Sequence, residues 1–359
     1  MRNTYSAVLA KTLTAVMVAF VTVGTIAAQG QPRANQNRVW NQGKAPPRKV
    51  PPDAADPLAK AAAGGAKANN KASGTYHYTF RLHSFDGTAL AASFYPSKLG
   101  TSAPVVMLVH EASRSRKDFE EPITQLGGKG FATYLQDEGY AVFSMDLRGQ
   151  GQNPRRVLTP ADRVLLVEDL QAAYTFLLDR HNRGDFNIAK LAIIGLGEGA
   201  NLAVAWAYQP GAAVSTEDRT SDLSALVLIS PMPQGAGYVL GHVLPMLTPA
   251  VSVALLAGTK DNASKNAVES VRRIAERARL NKVEFFPTPL HGYKLLRLEP
   301  KVSDTITRFL EPAVKLRPLE WEPRYNLLPV AVSSVQTVYH TSPAEKPAAP
   351  NVQANPCLG

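Results

Sequence analysis

The chain has 359 residues, 45% hydrophobic and 19% charged, which suffices for one large core with extensions. Its formal charge of +10 is concentrated in residues 1–72, where ten Lys/Arg face two Asp/Glu and contribute +8, so the remainder is near neutral and a basic nucleic-acid-binding domain is excluded. The only cysteine, Cys357, excludes an intramolecular disulfide and any cysteine-based metal site or catalytic pair.

Residues 1–30 open with Arg2 and Lys11, continue through an uncharged run from Thr12 to Ala28 and end in small residues. This is the pattern of a secretory signal peptide, and an uncleaved N-terminal anchor is the alternative. The expectation is export, to a periplasmic or extracellular location. Residues 31–73 are Pro, Ala, Gly, Asn and Lys with scarcely any large apolar side chain, so they bury too little surface to offset ordering entropy and are expected to form a disordered basic linker. Such an arm can make weak contact with an anionic surface without specificity. The folded domain is expected over residues 74–338, with 339–359 a disordered Pro/Ala-rich tail.

Residues 76–84 and 88–95 alternate as strands around Asp86-Gly87, a hairpin turn signal. Short apolar runs then follow at 105–109, 141–145, 191–194, 225–229 and 251–256, and they read as buried parallel strands. The stretches between them carry helical spacing, for instance Val167, Leu170, Tyr174 and Leu177, or Ala267, Val271, Ile274 and Ala278. The fold class is therefore α/β, a mostly parallel doubly wound sheet with helices on both faces and an N-terminal antiparallel hairpin. Only residues 231–250 separate two of the strands, too few for a lid domain.

The chemistry-bearing motifs fall at strand ends. Residues 191–202 run from a strand through a turn at 195–199, Gly195-Leu196-Gly197-Glu198-Gly199, into a helix, which is where a nucleophile elbow belongs. Upstream stand Val109-His110-Glu111 and Asp146-Leu147-Arg148-Gly149-Gln150-Gly151. Downstream are Gly258-Thr259-Lys260-Asp261 and Leu290-His291-Gly292, each after an apolar run. In this order the motifs resemble those of the α/β-hydrolase superfamily: oxyanion loop, D-x-R-G-x-G loop, G-x-S-x-G elbow, acid and histidine. The resemblance implies an acid, Asp261, that orients a base, His291, beneath a nucleophile. The nucleophile position, however, is Gly197, and glycine has no proton to give. Glu111 stands where the family has glycine beside its oxyanion-loop histidine, and its carboxylate would oppose an oxyanion if it pointed inward.

Each residue has a second reading. Gly197 relieves the backbone strain of the elbow. Asp261 and His291 are either a retained acid–base pair or a structural remnant. Glu198 serves the helix N-terminus through its charge and offers the oxyanion loop only its backbone N–H. Arg148 and Asp146 shape their loop, and Arg114, Arg116 and Lys117 read as a solvated turn. Ser113 and Ser230 are the substitute nucleophiles within range of the motif. His77, His83, His181, His242 and His340 are scattered and form no ligand set, so neither a metal nor a cofactor is expected. Three functions remain: a pseudoenzyme that binds an unidentified small molecule or protein at the strand-end cleft, a weak ester, thioester or amide hydrolase in which His291–Asp261 activates water, and a cell-envelope scaffold.

Overall fold

The computed structural model describes residues 56, 58–60, 75–153, 157–209, 222–324 and 330–340, all within one unit, Pro47–Gly359. The expected leader, most of the linker and the end of the tail lie outside the described residues.

Strands β1 (Tyr76–His83) and β2 (Ala89–Tyr95) form the antiparallel hairpin signalled by Asp86-Gly87. β3 (Val105–Val109), β4 (Ala141–Met145), β5 (Leu191–Leu196) and β6 (Leu223–Ile229) follow. A two-residue ribbon, β7 (Gln234–Gly235) with β8 (Tyr238–Val239), precedes β9 (Ser252–Gly258), β10 (Asn281–Phe286) and β11 (Val332–Tyr339). Nine strands make one sheet in the order β10-β9-β6-β5-β3-β4-β2-β1-β11. The run from β10 to β4 is parallel, and the hairpin and β11 extend it antiparallel.

The central strands are apolar throughout because both of their faces are covered. Val105, Met107, Leu191 and Ile193 face one core with α2 (Pro160–Asn182), α3 (Glu198–Ala207), α4 (Leu240–Leu247) and α5 (Asn262–Ala275). Val106, Leu108, Ala192 and Ile194 face the other, with α1 (Phe131–Asp137), α6 (Gly292–Leu298) and α7 (Pro300–Leu310). Each such Val, Leu or Ile contributes about 1.5–3 kcal/mol by leaving water. Helix α2 starts at a full capping box, in which Thr159 and Asp162 satisfy each other's backbone N–H groups, with Pro160 in the first turn. Among the described residues no helix is long and apolar enough to cross a membrane.

The structure departs from the expected boundaries in three places. Within the linker, Leu58 is buried in the first core and Asp56 pairs with Arg180 at 2.7 Å; here a lone large apolar residue and a carboxylate find partners on the domain. At the other end, β11 pairs with β1 through Tyr76 and Tyr339, and the His340 N–H donates to the Thr75 carbonyl. The ordered chain thus passes residue 338. Finally, β5 runs on through Leu196, which narrows the expected turn at 195–199 to Gly197.

Candidate functional site

The ends of β3, β5, β6, β9 and β10 follow one another across the parallel part of the sheet, so the loops after them open at the same edge. Between β5 and α3 sits Gly197 at φ 53°, ψ −123°, as the N-cap of α3. An L side chain in this region costs roughly 1–3 kcal/mol. The elbow also presses α3 against the end of β3: a Cβ at Gly199 would fall 2.3 Å from the His110 carbonyl oxygen and 2.6 Å from that of Val109. Glycine at 199 is therefore required by contact. Glu198 is exposed in the first turn of α3, where the helix dipole favours its charge.

The β9 loop places Asp261 as the N-cap of α5, accepting from Ser264 N at 3.4 Å. The β10 loop carries His291, whose Nδ1 lies 2.6 Å from Asp261 Oδ2 and 3.2 Å from Ser264 Oγ. Its Nε2 points to the elbow: a Cβ at Gly197 would lie 3.2 Å from it. Two contacts hold the histidine loop, and one of them falls on Ser230, which the sequence offered as a substitute nucleophile. Ser230, fully buried with φ 52°, accepts from Gly292 N through Oγ at 2.9 Å, so it is a loop anchor. Tyr293 N donates to Glu111 Oε2 at 3.0 Å.

Glu111 points inward. Its Cβ would lie 3.0 Å and its Oε2 3.5 Å from a Cβ at Gly197, so the carboxylate stands over the elbow where a nucleophile's side chain would project. Burial raises the Glu111 carboxyl above its usual range, against the Tyr293 N–H, His291 and Arg114, which favour the ionised form. Arg114 caps the group: its guanidinium stacks 3.9 Å above the Tyr293 ring and pairs with Asp118. The Tyr293 hydroxyl donates to Glu121.

His110 is fully buried and faces the other way. Its Nε2 accepts from Leu147 N at 3.0 Å, so Nδ1 carries the proton and donates to the Glu111 carbonyl at 2.8 Å. Burial lowers its pKa, in keeping with a neutral ring that ties the 110–121 segment to the 146–152 loop. In that loop Asp146 accepts from Arg116 N and Gln152 N, both at 2.7 Å, and Arg148 grips Asp169 and Asp86. Arg116 is not solvated: its side chain is 4% exposed and faces Asp146 at 3.8 Å. The backbone donation to Asp146 turns this residue inward, which the alternation of basic residues could not reveal. Ser113 is exposed with φ 64°.

A family model described as serine aminopeptidase, S33 (Hydrolase_4), matches residues 119–292. No curated protein matches the chain by sequence. Among solved structures, the acylaminoacyl peptidase of Pyrococcus horikoshii superposes with a TM-score of 0.51 at 14% identity, over 72% of this chain and 45% of that one. The Pyrococcus furiosus esterase Pf2001 gives 0.49 at 17% identity, over 67% and 91%, and a carboxyl esterase of Bacillus coagulans 0.49 at 11%, over 66% and 98%. Sheet order, the tight turn after β5 and the loops after β9 and β10 define an α/β-hydrolase fold. The chain thus has the fold of the α/β-hydrolase superfamily, and its residues 119–292 are similar to that superfamily's serine aminopeptidase model.

Proposed function

We propose that this chain is an exported α/β-hydrolase-fold protein that does not perform serine-type hydrolysis and acts instead as a binding pseudoenzyme. The reading rests on one observation: at the elbow Gly197 offers no hydroxyl, and the half-buried Glu111 carboxylate stands within 3.5 Å of where its Cβ would be. A serine hydrolase needs a nucleophile that passes its proton to the histidine and a site that welcomes the oxyanion. Here the first is missing and the second is faced by a carboxylate. The leader-like composition of residues 1–30 supports export.

A second reading follows from the Asp261–His291 pair. With Asp261 holding Nδ1 and Nε2 turned to the elbow, His291 can take a proton from a water in place of a serine, and Asp261 then stabilises the imidazolium. The experiment that separates the two is hydrolysis of p-nitrophenyl acetate by the full chain and by His291→Ala. A binding pseudoenzyme gives the same background rate in both; turnover lost in His291→Ala refutes that reading and establishes water activation.

A further inference from the structure

The sheet ends in β11 on one side and in β10 on the other. In β10 the Leu280 carbonyl accepts from Val253 N and the Phe286 carbonyl from Thr259 N, so the even-numbered residues of this strand turn their backbone groups to β9. Asn281, Val283 and Phe285 therefore turn their N–H and C=O groups outward, and among the described residues nothing pairs with them. An open edge of this kind is a template for another strand. Beside it, β10 and α7 frame a groove of about 630 Å3, whose walls include Lys282 and Glu284 of the strand, Lys301, Asp304 and Arg308 of the helix, and Phe309.

The charges on the strand select what can pair with it. Lys282 and Glu284 lie on the face of β10 that Phe286 turns to the second core, and their side chains are 47% and 31% exposed. A second β10 laid antiparallel engages the outward groups of all three odd-numbered residues in one register only, with Val283 opposite Val283 and Asn281 opposite Phe285, each facing pair exchanging two hydrogen bonds. The intervening pairs, closer at about 4.5 Å between Cα atoms, are then Lys282 with the partner's Glu284 and the reverse. Sliding the partner by two residues either way sets Lys282 against its own copy or Glu284 against its own copy, and like charges directly opposite are destabilising. A charge pattern centred on Val283 thus accepts the register that saturates the edge and rejects its neighbours.

The other edge is a poorer partner. β11 carries no charged residue, its pairing with β1 shifts between Thr79 and Arg81, and Ser334 takes φ 55°. A β10–β11 pair would leave Lys282 and Glu284 opposite uncharged side chains on a strand that its bulge bends. It would also propagate without closing, whereas β10 on β10 closes after two copies. The groove agrees with self-association: Lys282, Lys301 and Arg308 stand among Glu284 and Asp304, so two such walls brought together mix both signs of charge. We infer that two copies of this chain associate through antiparallel β10 strands, about a two-fold axis at Val283, into one continuous sheet. Because the strands of the two copies run in opposite directions, their elbows open at opposite ends of the joined sheet and neither covers the other.

The test is sedimentation equilibrium of the full chain at micromolar concentration, where the wild type should be a reversible dimer. Lys282→Glu and Glu284→Lys each put like charges opposite one another in both cross-strand pairs and should weaken dimerisation at least tenfold. The exchanged variant Lys282→Glu/Glu284→Lys should recover it. Within one copy the two side chains also pair at 2.8 Å, and an effect of that contact alone would be recovered by the exchange as well. Mixing the two single variants separates the cases: between copies each variant's like charges meet the opposite ones, so a heterodimer of wild-type affinity should form, whereas a contact within one copy gains nothing from mixing. A wild type that stays monomeric, a dimer indifferent to both single variants, or single variants that remain monomeric when mixed would each overturn the inference.

Discussion

Restoring a serine at the elbow should not by itself restore a hydrolase. In Gly197→Ser the new Cβ meets Glu111 Cβ at 3.0 Å and His291 Nε2 at 3.2 Å, closer than ordinary carbon contacts, and adopts φ 53°. The backbone strain alone costs about 1–3 kcal/mol. At about 2–4 °C per kcal/mol for a domain of this size, the melting temperature should fall by several degrees. The Glu111 carboxylate beside the reacting carbon acts against the oxyanion, a penalty comparable to losing an oxyanion donor, about 10²–10³ in rate. The double variant Gly197→Ser/Glu111→Gly relieves the contact and the charge together. It should hydrolyse p-nitrophenyl acetate about 10²-fold faster than Gly197→Ser and take up a fluorophosphonate probe on the introduced hydroxyl, with both signals lost on adding His291→Ala. If Gly197→Ser alone matched the double variant, Glu111 would not be the obstruction and the reasoning would fail. If the folded double variant stayed inert to the probe, the retained Asp261–His291 pair would be excluded as hydrolytic machinery.

Three other consequences concern the frame of the site. Gly199→Ala would put a methyl 2.3 Å from the His110 carbonyl oxygen, and because backbone cannot yield easily we expect about 1–3 kcal/mol or more of destabilisation; an unchanged urea midpoint would contradict the close approach of α3 to β3. Asp169→Asn breaks the Arg148–Asp169 pair, whose side chains are 1% and 0% exposed, and should cost about 3–5 kcal/mol in urea unfolding. Because such a loss comes from stranding a charge, the double replacement Arg148→Met/Asp169→Leu should cost less, and a larger cost would refute that account. Burial, reinforced by His340 and Arg116, lowers the His77 pKa from 6.5 to about 3. Between these values the unfolded chain holds a proton that the folded chain does not, so the contribution is complete above 6.5 and is lost as pH falls. The slope can reach about 1.4 kcal/mol per pH unit; His77→Gln should flatten it in urea midpoints taken between about pH 5 and 7, and an identical slope would assign the loss to other groups.

The parallel strands were legible because both of their faces are buried, so each left an unbroken apolar run with a turn or polar loop at its end. Strand β11 was not, because its bulge at Ser334 puts Val332 and Val335, three residues apart, on the same core, and the two-residue alternation that marks a strand is broken at that point. Leu58 was hidden for the opposite reason: a single apolar residue in a polar stretch carries no period, and only the surface that receives it makes it a core residue. The motif order brought Gly197, Asp261 and His291 to one place, since each follows a strand of the parallel sheet, β5, β9 and β10, whose ends open at the same edge with only β6 between β5 and β9. The direction of Glu111 had no such signal. Its side chain is turned toward the elbow by the Tyr293 N–H, which lies 182 positions further along the chain. Once there, it leaves no ordinary room for a side chain at 197. The two departures from the family pattern, a glycine for the nucleophile and a carboxylate beside the oxyanion loop, are thus one steric arrangement in which each residue suits the other, and reversing either alone leaves the site strained or empty.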